Sequence, residues 1–301
     1  MTLTIPATRT ISSTKGPQTL QEKYPNRLLP SIILAGFPKT GTTSVAYFLK
    51  SHPQVIFPGK KELNFLGMNS MSETEYVQKF PDCDIVNCTD KITFDGSIAL
   101  SVTPRGFGDC LRNFPDAKLV FVVRNPVEKV YSYFRMDYRN GKSNSAELDY
   151  FDEIINNTLP QMEQFFADFE DHRQKTNPPY TFWQYIQKVR YEIDGEFMKF
   201  IPGSLYYYLM EPFLRSYPRD RIHVVNNYLL ETEPEKEIIK LLKFAGLEID
   251  PELDWEALKQ NRHPPEEDMN PSTREKLSKF FMRYNQMLED KMGESFDLDK
   301  S

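Results

Sequence analysis

Apolar residues along the chain gather in short runs that alternate with stretches of helical spacing. Ser31-Ile-Ile-Leu-Ala-Gly36 is an uninterrupted apolar run closed by glycine, the pattern of a strand buried on both faces. Lys118-Leu-Val-Phe-Val-Val123 is the strongest such run, and weaker ones lie at 54–57, 92–98 and 222–225. Between them, residues 41–51 place Val45, Phe48 and Leu49 on one helical side. Residues 72–80, 127–138 (after Pro126), 233–244 (closed by Gly246) and 273–291 also carry helical spacing. Strands alternating with helices predict an α/β fold: a mainly parallel central sheet covered on both faces, hence three layers. The segment 145–217 reads as a helical insertion rich in aromatic residues.

Residues 1–29 are polar and rich in Thr, Ser, Pro and Lys, and are expected to form a flexible or loosely docked leader. Residues 30–301 then form a single domain that includes the insertion. No run approaches the ~20 apolar residues a membrane helix needs, so no membrane partner is expected. A net charge of -6 gives no general attraction for nucleic acid or polyanionic sugar chains. The three cysteines, Cys83, Cys88 and Cys110, are odd in number and lack CxxC spacing. Neither a disulfide framework nor a zinc site is expected, and a cytoplasmic location follows. The four histidines lie far apart in sequence and add no metal site. Monomer and homodimer both remain open.

The stretch richest in chemistry is Gly36-Phe-Pro-Lys39-Thr40-Gly41-Thr42-Thr43-Ser44, between a predicted strand and a predicted helix. A glycine-containing turn there aims backbone N–H groups and a helix N-terminus at a phosphate, giving the fold a P-loop-like character. Gly36 and Gly41 keep the spacing of a nucleoside-triphosphate loop, and Thr43 stands at its Ser/Thr position. Yet Thr42 replaces the usual lysine, which has moved upstream to Lys39. The strand at 118–123 runs into Arg124 where such proteins place an acidic magnesium ligand. The site reads as built for an anion without a metal.

These residues resemble the sulfotransferases that use 3′-phosphoadenosine-5′-phosphosulfate (PAPS) as donor. Gly36 to Ser44 looks like the 5′-phosphosulfate loop, and Val123-Arg-Asn-Pro-Val-Glu-Lys-Val-Tyr-Ser132 like the 3′-phosphate motif. The resemblance covers roughly 31–293 and implies that Lys39, Thr40, Gly41, Thr42, Thr43, Ser44, Arg124 and Ser132 bind the donor. Arg262, in Arg262-His-Pro264, corresponds to a further donor-binding loop. Lys60-Lys61-Glu62-Leu-Asn-Phe65 resembles a segment of the heparan-sulfate type branch and its bacterial relatives. That branch uses the matching glutamate as base, which implies Glu62 here. Departures are Asn64 for a histidine that meets sugar chains, Gly67 for an acidic residue, and Tyr228 for a glutamate. With the acidic composition, they turn the expectation from a glycosaminoglycan towards a small-molecule acceptor. The likeness extends to bacterial enzymes of secondary metabolism, including those acting on guanidinium alkaloids of the saxitoxin type.

Sulfuryl transfer is an in-line displacement that builds negative charge on the oxygen between sulfur and the departing phosphate. A fixed ammonium there lowers the barrier, which suits Lys39 with help from Lys61, while PAP leaves as product. The acceptor hydroxyl or nitrogen must lose a proton, and Glu62 is placed to take it. Residues 95–117 hold no histidine, which disfavours the histidine base of the phenol-acting branch. Tyr180, Phe182, Trp183, Tyr185 and Tyr206 to Tyr208 read mainly as core, with some available to line an acceptor pocket. Acidic residues of the insertion, Asp149, Asp152, Glu153, Glu163, Asp168, Glu170 and Asp171, would suit a cationic acceptor. Two other readings are a nucleotide-dependent kinase, which would need magnesium, and a non-catalytic PAPS- or PAP-binding protein.

Overall fold

Alternation along the strands decides how the sheet is covered. In the computed structural model, which describes residues 18–139, 147–176, 181–189, 200–249 and 269–299, four strands form one sheet. They are β1 (Ile32–Leu34), β2 (Phe94–Asp95), β3 (Lys118–Val123) and β4 (Ile222–Asn226). The order is β2-β1-β3-β4 and every pairing is parallel. Ile33, Leu119, Phe121, Val123, Ile222 and Val224 face one hydrophobic cluster, while Ile32, Leu34, Val120, Val122 and Val225 face another. Successive side chains point to opposite faces of a strand, so each face carries its own core and the fold has three layers.

Helices supply the outer layers from their apolar sides. On one face, α2 (Thr42–Ser51) contributes Val45, Phe48 and Leu49. The opposite face is larger and takes α6 (Pro126–Arg139), α7 (Glu147–Lys175) and α8 (Phe182–Val189). The short helices α1 (Leu20–Lys23), α3 (Glu73–Val77), α4 (Ala99–Val102) and α5 (Gly106–Asn113) come earlier in the chain. Helix α9 (Tyr206–Ser216) precedes β4, and α10 (Asn227–Thr232) and α11 (Pro234–Ala245) follow it. Helix α11 packs on the α2 face through Ile238, Leu241 and Leu242, and Gly246 ends it in the left-handed conformation. Helix α12 (Pro271–Met292) closes the larger face through Leu277, Phe281 and Leu288.

Three expectations change. The strand at 54–57 reduces to one parallel bridge, Val55 with Ile92, because Pro53 and Pro58 bracket it and cannot extend a ladder. Residues 19–29 are docked on the domain instead of loose: Thr19 caps α1 in a reciprocal capping box with Glu22, and Leu20 and Leu29 are buried in the larger core. Cys83 and Cys88 are joined in a disulfide, against the expectation of unbonded cysteines. Five positions apart, they meet in a tight turn, where Ile85 and Val86 donate backbone N–H bonds to the Asp82 carbonyl. Cys110 is free and buried, and burial pushes its thiol up to about 12. Among the described residues, no helix is long and apolar enough to cross a membrane.

Candidate active site

The sheet winds away from β1 in opposite senses, towards β2 on one side and β3 on the other. Ligands of open α/β sheets bind outside the carboxyl ends of the strands at such a switch point. The loop after β1 and Arg124 after β3 both lie there. The Ala35 N–H donates to the Val120 carbonyl (2.8 Å), holding the loop's start against β3.

Backbone conformation shapes the loop. Lys39 and Gly41 both take positive φ, 64° and 95°, while Thr40 between them is fully buried and its Oγ1 donates to the Phe37 carbonyl (2.8 Å). Left-handed positions on both sides of Thr40 make this a tight turn, the kind of backbone in which N–H groups can gather round an anion. A Cβ on Gly36 would lie 2.3 Å from Thr42 Cγ2, and one on Gly41 would lie 2.6 Å from Asn227 Nδ2. The Cβ on Gly36 would also stand 3.2 Å from the Val122 backbone N, and Gly41 is favoured by its φ of 95°. Thr42 opens α2 and is buried, whereas Thr43 is exposed and Ser44 half-buried.

Lys61 ties the loop to Glu62. Its Nζ donates to Thr42 Oγ1 (3.0 Å), Thr43 Oγ1 (3.4 Å) and Glu62 Oε1 (3.0 Å). One ammonium thus sits at the N-terminus of the loop helix and against a carboxylate. The second Glu62 oxygen, Oε2, makes no hydrogen bond among the described residues, and the side chain keeps 32% of its exposure.

A floor beneath this pair went unnoticed in the sequence. Asp95, at the end of β2, accepts hydrogen bonds from Tyr76 Oη (2.8 Å), Ser97 N (2.8 Å) and Ser97 Oγ (2.5 Å). Burial raises its carboxyl above the ordinary range against the pull of Ser97 and Tyr76, and the charge of Glu62 adds to the rise. Ser97 Oγ accepts the Asn64 N–H (2.8 Å), and Gly96 N–H donates to the Lys61 carbonyl (3.0 Å). A Cβ on Gly96 would stand 2.9 Å from Lys61 Cγ, so glycine lets the lysine lie across the strand end. The available signal was Asp-Gly-Ser at the carboxyl end of a weak parallel strand, where ligands gather.

Arg124 follows β3 directly and is half-buried; its carbonyl accepts from Tyr206 Oη (2.9 Å), which also faces its N–H (3.4 Å). Asn125 Oδ1 then caps the start of α6 by accepting from Val127 N (2.9 Å). Ser132, two turns on, is buried, and its Oγ has no hydrogen-bond partner among the described residues. A buried hydroxyl without a partner costs free energy unless a ligand supplies one. That orphan oxygen fits a donor phosphate. Arg262 lies outside the described residues, as does Tyr180.

Other sequence candidates have structural duties. His52 is buried, with Nε2 2.9 Å from the Glu248 carbonyl and Nδ1 accepting the Gln54 N–H (3.2 Å). Burial, with Lys240 and Arg219 nearby, holds His223 down to about 4, stacked on Phe244. Phe182, Tyr185, Tyr206 and Tyr208 belong to the larger core. Within the insertion, Asp152 accepts from Thr273 Oγ1 (2.6 Å), and Asp171 pairs with Lys175.

The parallel four-stranded sheet with helices on both faces defines an α/β protein, with its glycine-containing turn at the switch point. The model of the sulfotransferase domain matches residues 29–291, and the chain belongs to that family. It is 24% identical over 239 residues to a bifunctional heparan sulfate N-deacetylase/N-sulfotransferase 1 of Caenorhabditis briggsae, a match covering 76% of this chain and 23% of the relative. Against heparan sulfate glucosamine 3-O-sulfotransferase 3A1 of Mus musculus it is 25% identical over 230 residues, 74% of this chain and 47% of the relative. The chain thus spans a quarter to a half of the length of these two relatives. A crystal structure of a sulfotransferase from Alicyclobacillus acidocaldarius superposes with a TM-score of 0.62 at 20% identity, covering 89% of this chain and 97% of the other. That likeness shows the fold.

Proposed function

We propose that this chain transfers a sulfuryl group from PAPS to a hydroxyl or nitrogen of a small-molecule acceptor and releases PAP. The observation that carries the reading is Lys61, 3.0 Å from Thr42 on the phosphate loop and 3.0 Å from Glu62. An anion-binding turn and a proton acceptor are thereby held one ammonium apart. In this mechanism the loop N–H groups and the hydroxyls of Thr42, Thr43 and Ser44 hold the 5′-phosphosulfate. Arg124 and Ser132 hold the 3′-phosphate. Glu62 takes the proton from the acceptor as its oxygen or nitrogen bonds to sulfur. Charge accumulating on the bridging oxygen, as its bond to sulfur breaks, meets Lys39 and Lys61. Ionic interactions there gain strength as bulk water is displaced.

A small acceptor is favoured over a glycosaminoglycan by the net charge of -6 and by Asn64. The test is transfer of label from [35S]PAPS to a panel of small alcohols, phenols, amines and guanidinium compounds, with heparan-type chains alongside. Label on small molecules supports the proposal; label on the polysaccharide alone overturns its acceptor half.

Transfer is expected to proceed at an unchanged rate in EDTA, because Arg124 occupies the position where a loop-bound magnesium would need a carboxylate. A rate abolished by EDTA and restored by magnesium would revive the kinase reading. The cytoplasmic setting is retained in this proposal only with the Cys83–Cys88 bond open in the cell. Alkylation at lysis followed by thiol counting reads this directly. Three thiols are expected for a cytoplasmic chain, whereas Cys110 alone would mean an oxidising compartment.

A further inference from the structure

Lys129 is fully buried on α6, one turn before Ser132. Residues three apart on a helix share a face. A buried ammonium normally has a carboxylate beside it, since leaving it unpaired is costly. Lys129 has none within ion-pair distance among the described residues. Its Nζ donates to Ser204 Oγ (3.0 Å) and lies 5.9 Å from the centre of the Tyr133 ring. On α6 the preceding acid, Glu128, is turned away to Arg274, and Arg135 lies over the ring of Tyr131. From the facing segment, Ser204 meets Lys129 while Tyr206 binds the backbone of Arg124. The same three-residue stretch therefore contacts both Lys129 and the backbone of Arg124. Two buried groups on one helical face, an amine without a counter-charge and the Ser132 hydroxyl without an acceptor, lack the same thing.

We propose that Lys129 is a further side chain of the 3′-phosphate site, and that it takes up a proton when the phosphate dianion arrives. The proposal rests on the donor reading above. Without ligand, burial pulls the amine down to about 7. At pH 8 it is then mostly neutral, which relieves the cost of an unpaired charge. An adjacent dianion favours the ammonium, so binding draws a proton from solvent. Before binding, the folded pKa lies below the unfolded value of 10.5, so the unfolded chain holds more protons between about pH 7 and 10.5. Stability should therefore rise with pH across that window.

Isothermal titration of the full chain with PAP at pH 8, in buffers of different ionisation enthalpy, counts the protons taken up. The wild type is expected to approach one proton with PAP and none with adenosine 5′-phosphate. Lys129→Met should abolish the uptake and weaken PAP by roughly tenfold or more, the scale of one charge-assisted hydrogen bond. Adenosine 5′-phosphate should bind as before. The unliganded Lys129→Met protein should be at least as stable as wild type at pH 7 and lose the rise in stability with pH. Lys129→Arg, always charged, should bind PAP without proton uptake. A lysine that only tethers Ser204 predicts the opposite: a less stable free protein and equal losses for both ligands. Arg124→Ala separates the two layers. If it discriminates between PAP and adenosine 5′-phosphate while Lys129→Met does not, the Lys129 proposal fails and the donor reading stands. If Arg124→Ala does not discriminate either, the donor reading itself fails.

Discussion

Glu62→Gln is expected to lower kcat by roughly 10²–10⁴-fold, the usual contribution of a positioned base, while leaving donor affinity close to wild type. The amide keeps the size of the side chain and a carbonyl oxygen that can accept from Lys61, so the loop contacts at Thr42 and Thr43 should persist. Only the capacity to accept a proton is lost. The deficit should shrink for acceptors that ionise easily, because they need less help. Lys39→Ala should differ by damaging both donor binding and turnover, since a charge in the loop meets the phosphosulfate in ground and transition states alike. Near-normal kcat in Glu62→Gln would remove Glu62 as base. Asp95, buried behind it with its carboxyl pushed up, would then be the next carboxylate to examine.

Arg124→Ala is expected to weaken PAP by about 1.5–3 kcal/mol per charge-assisted hydrogen bond lost, or roughly ten- to a hundredfold for one such bond. Adenosine 5′-phosphosulfate, lacking a 3′-phosphate, should bind almost unchanged. Discrimination is expected because Arg124 follows β3 and Ser132, whose buried Oγ has no partner among the described residues, lies two turns further on, whereas the proposal gives the 5′ end to the loop after β1. Equal losses for the two ligands would assign Arg124 to fold maintenance.

How far the sequence reached depended on how local each signal was. The runs at 31–36 and 118–123 specified β1 and β3 because burial on both faces leaves an unbroken apolar stretch. The turn after β1 was legible because glycine residues are tied to backbone geometry, and Gly36 and Gly41 do stand where a Cβ would clash. The Asp95 floor was not legible, since its meaning arises from Tyr76, Ser97 and Lys61 converging from three separate segments. Lys129 was hidden in the same way: in sequence it is one more polar residue on an amphipathic helix, and only burial without a carboxylate singles it out. The cysteine count misled because pairing depends on a tight turn, which neither parity nor CxxC spacing reports.

Sulfuryl transfer from PAPS can be read in a single assay. With [35S]PAPS and excess acceptor, PAP release and labelled product are measured in the same reaction, beside a parallel reaction containing [γ-32P]ATP and magnesium. Equal amounts of PAP and sulfated product are expected, with no labelled phosphate on any acceptor. Phosphate transfer from ATP, or tight PAPS binding with no product from any acceptor, would contradict the proposal.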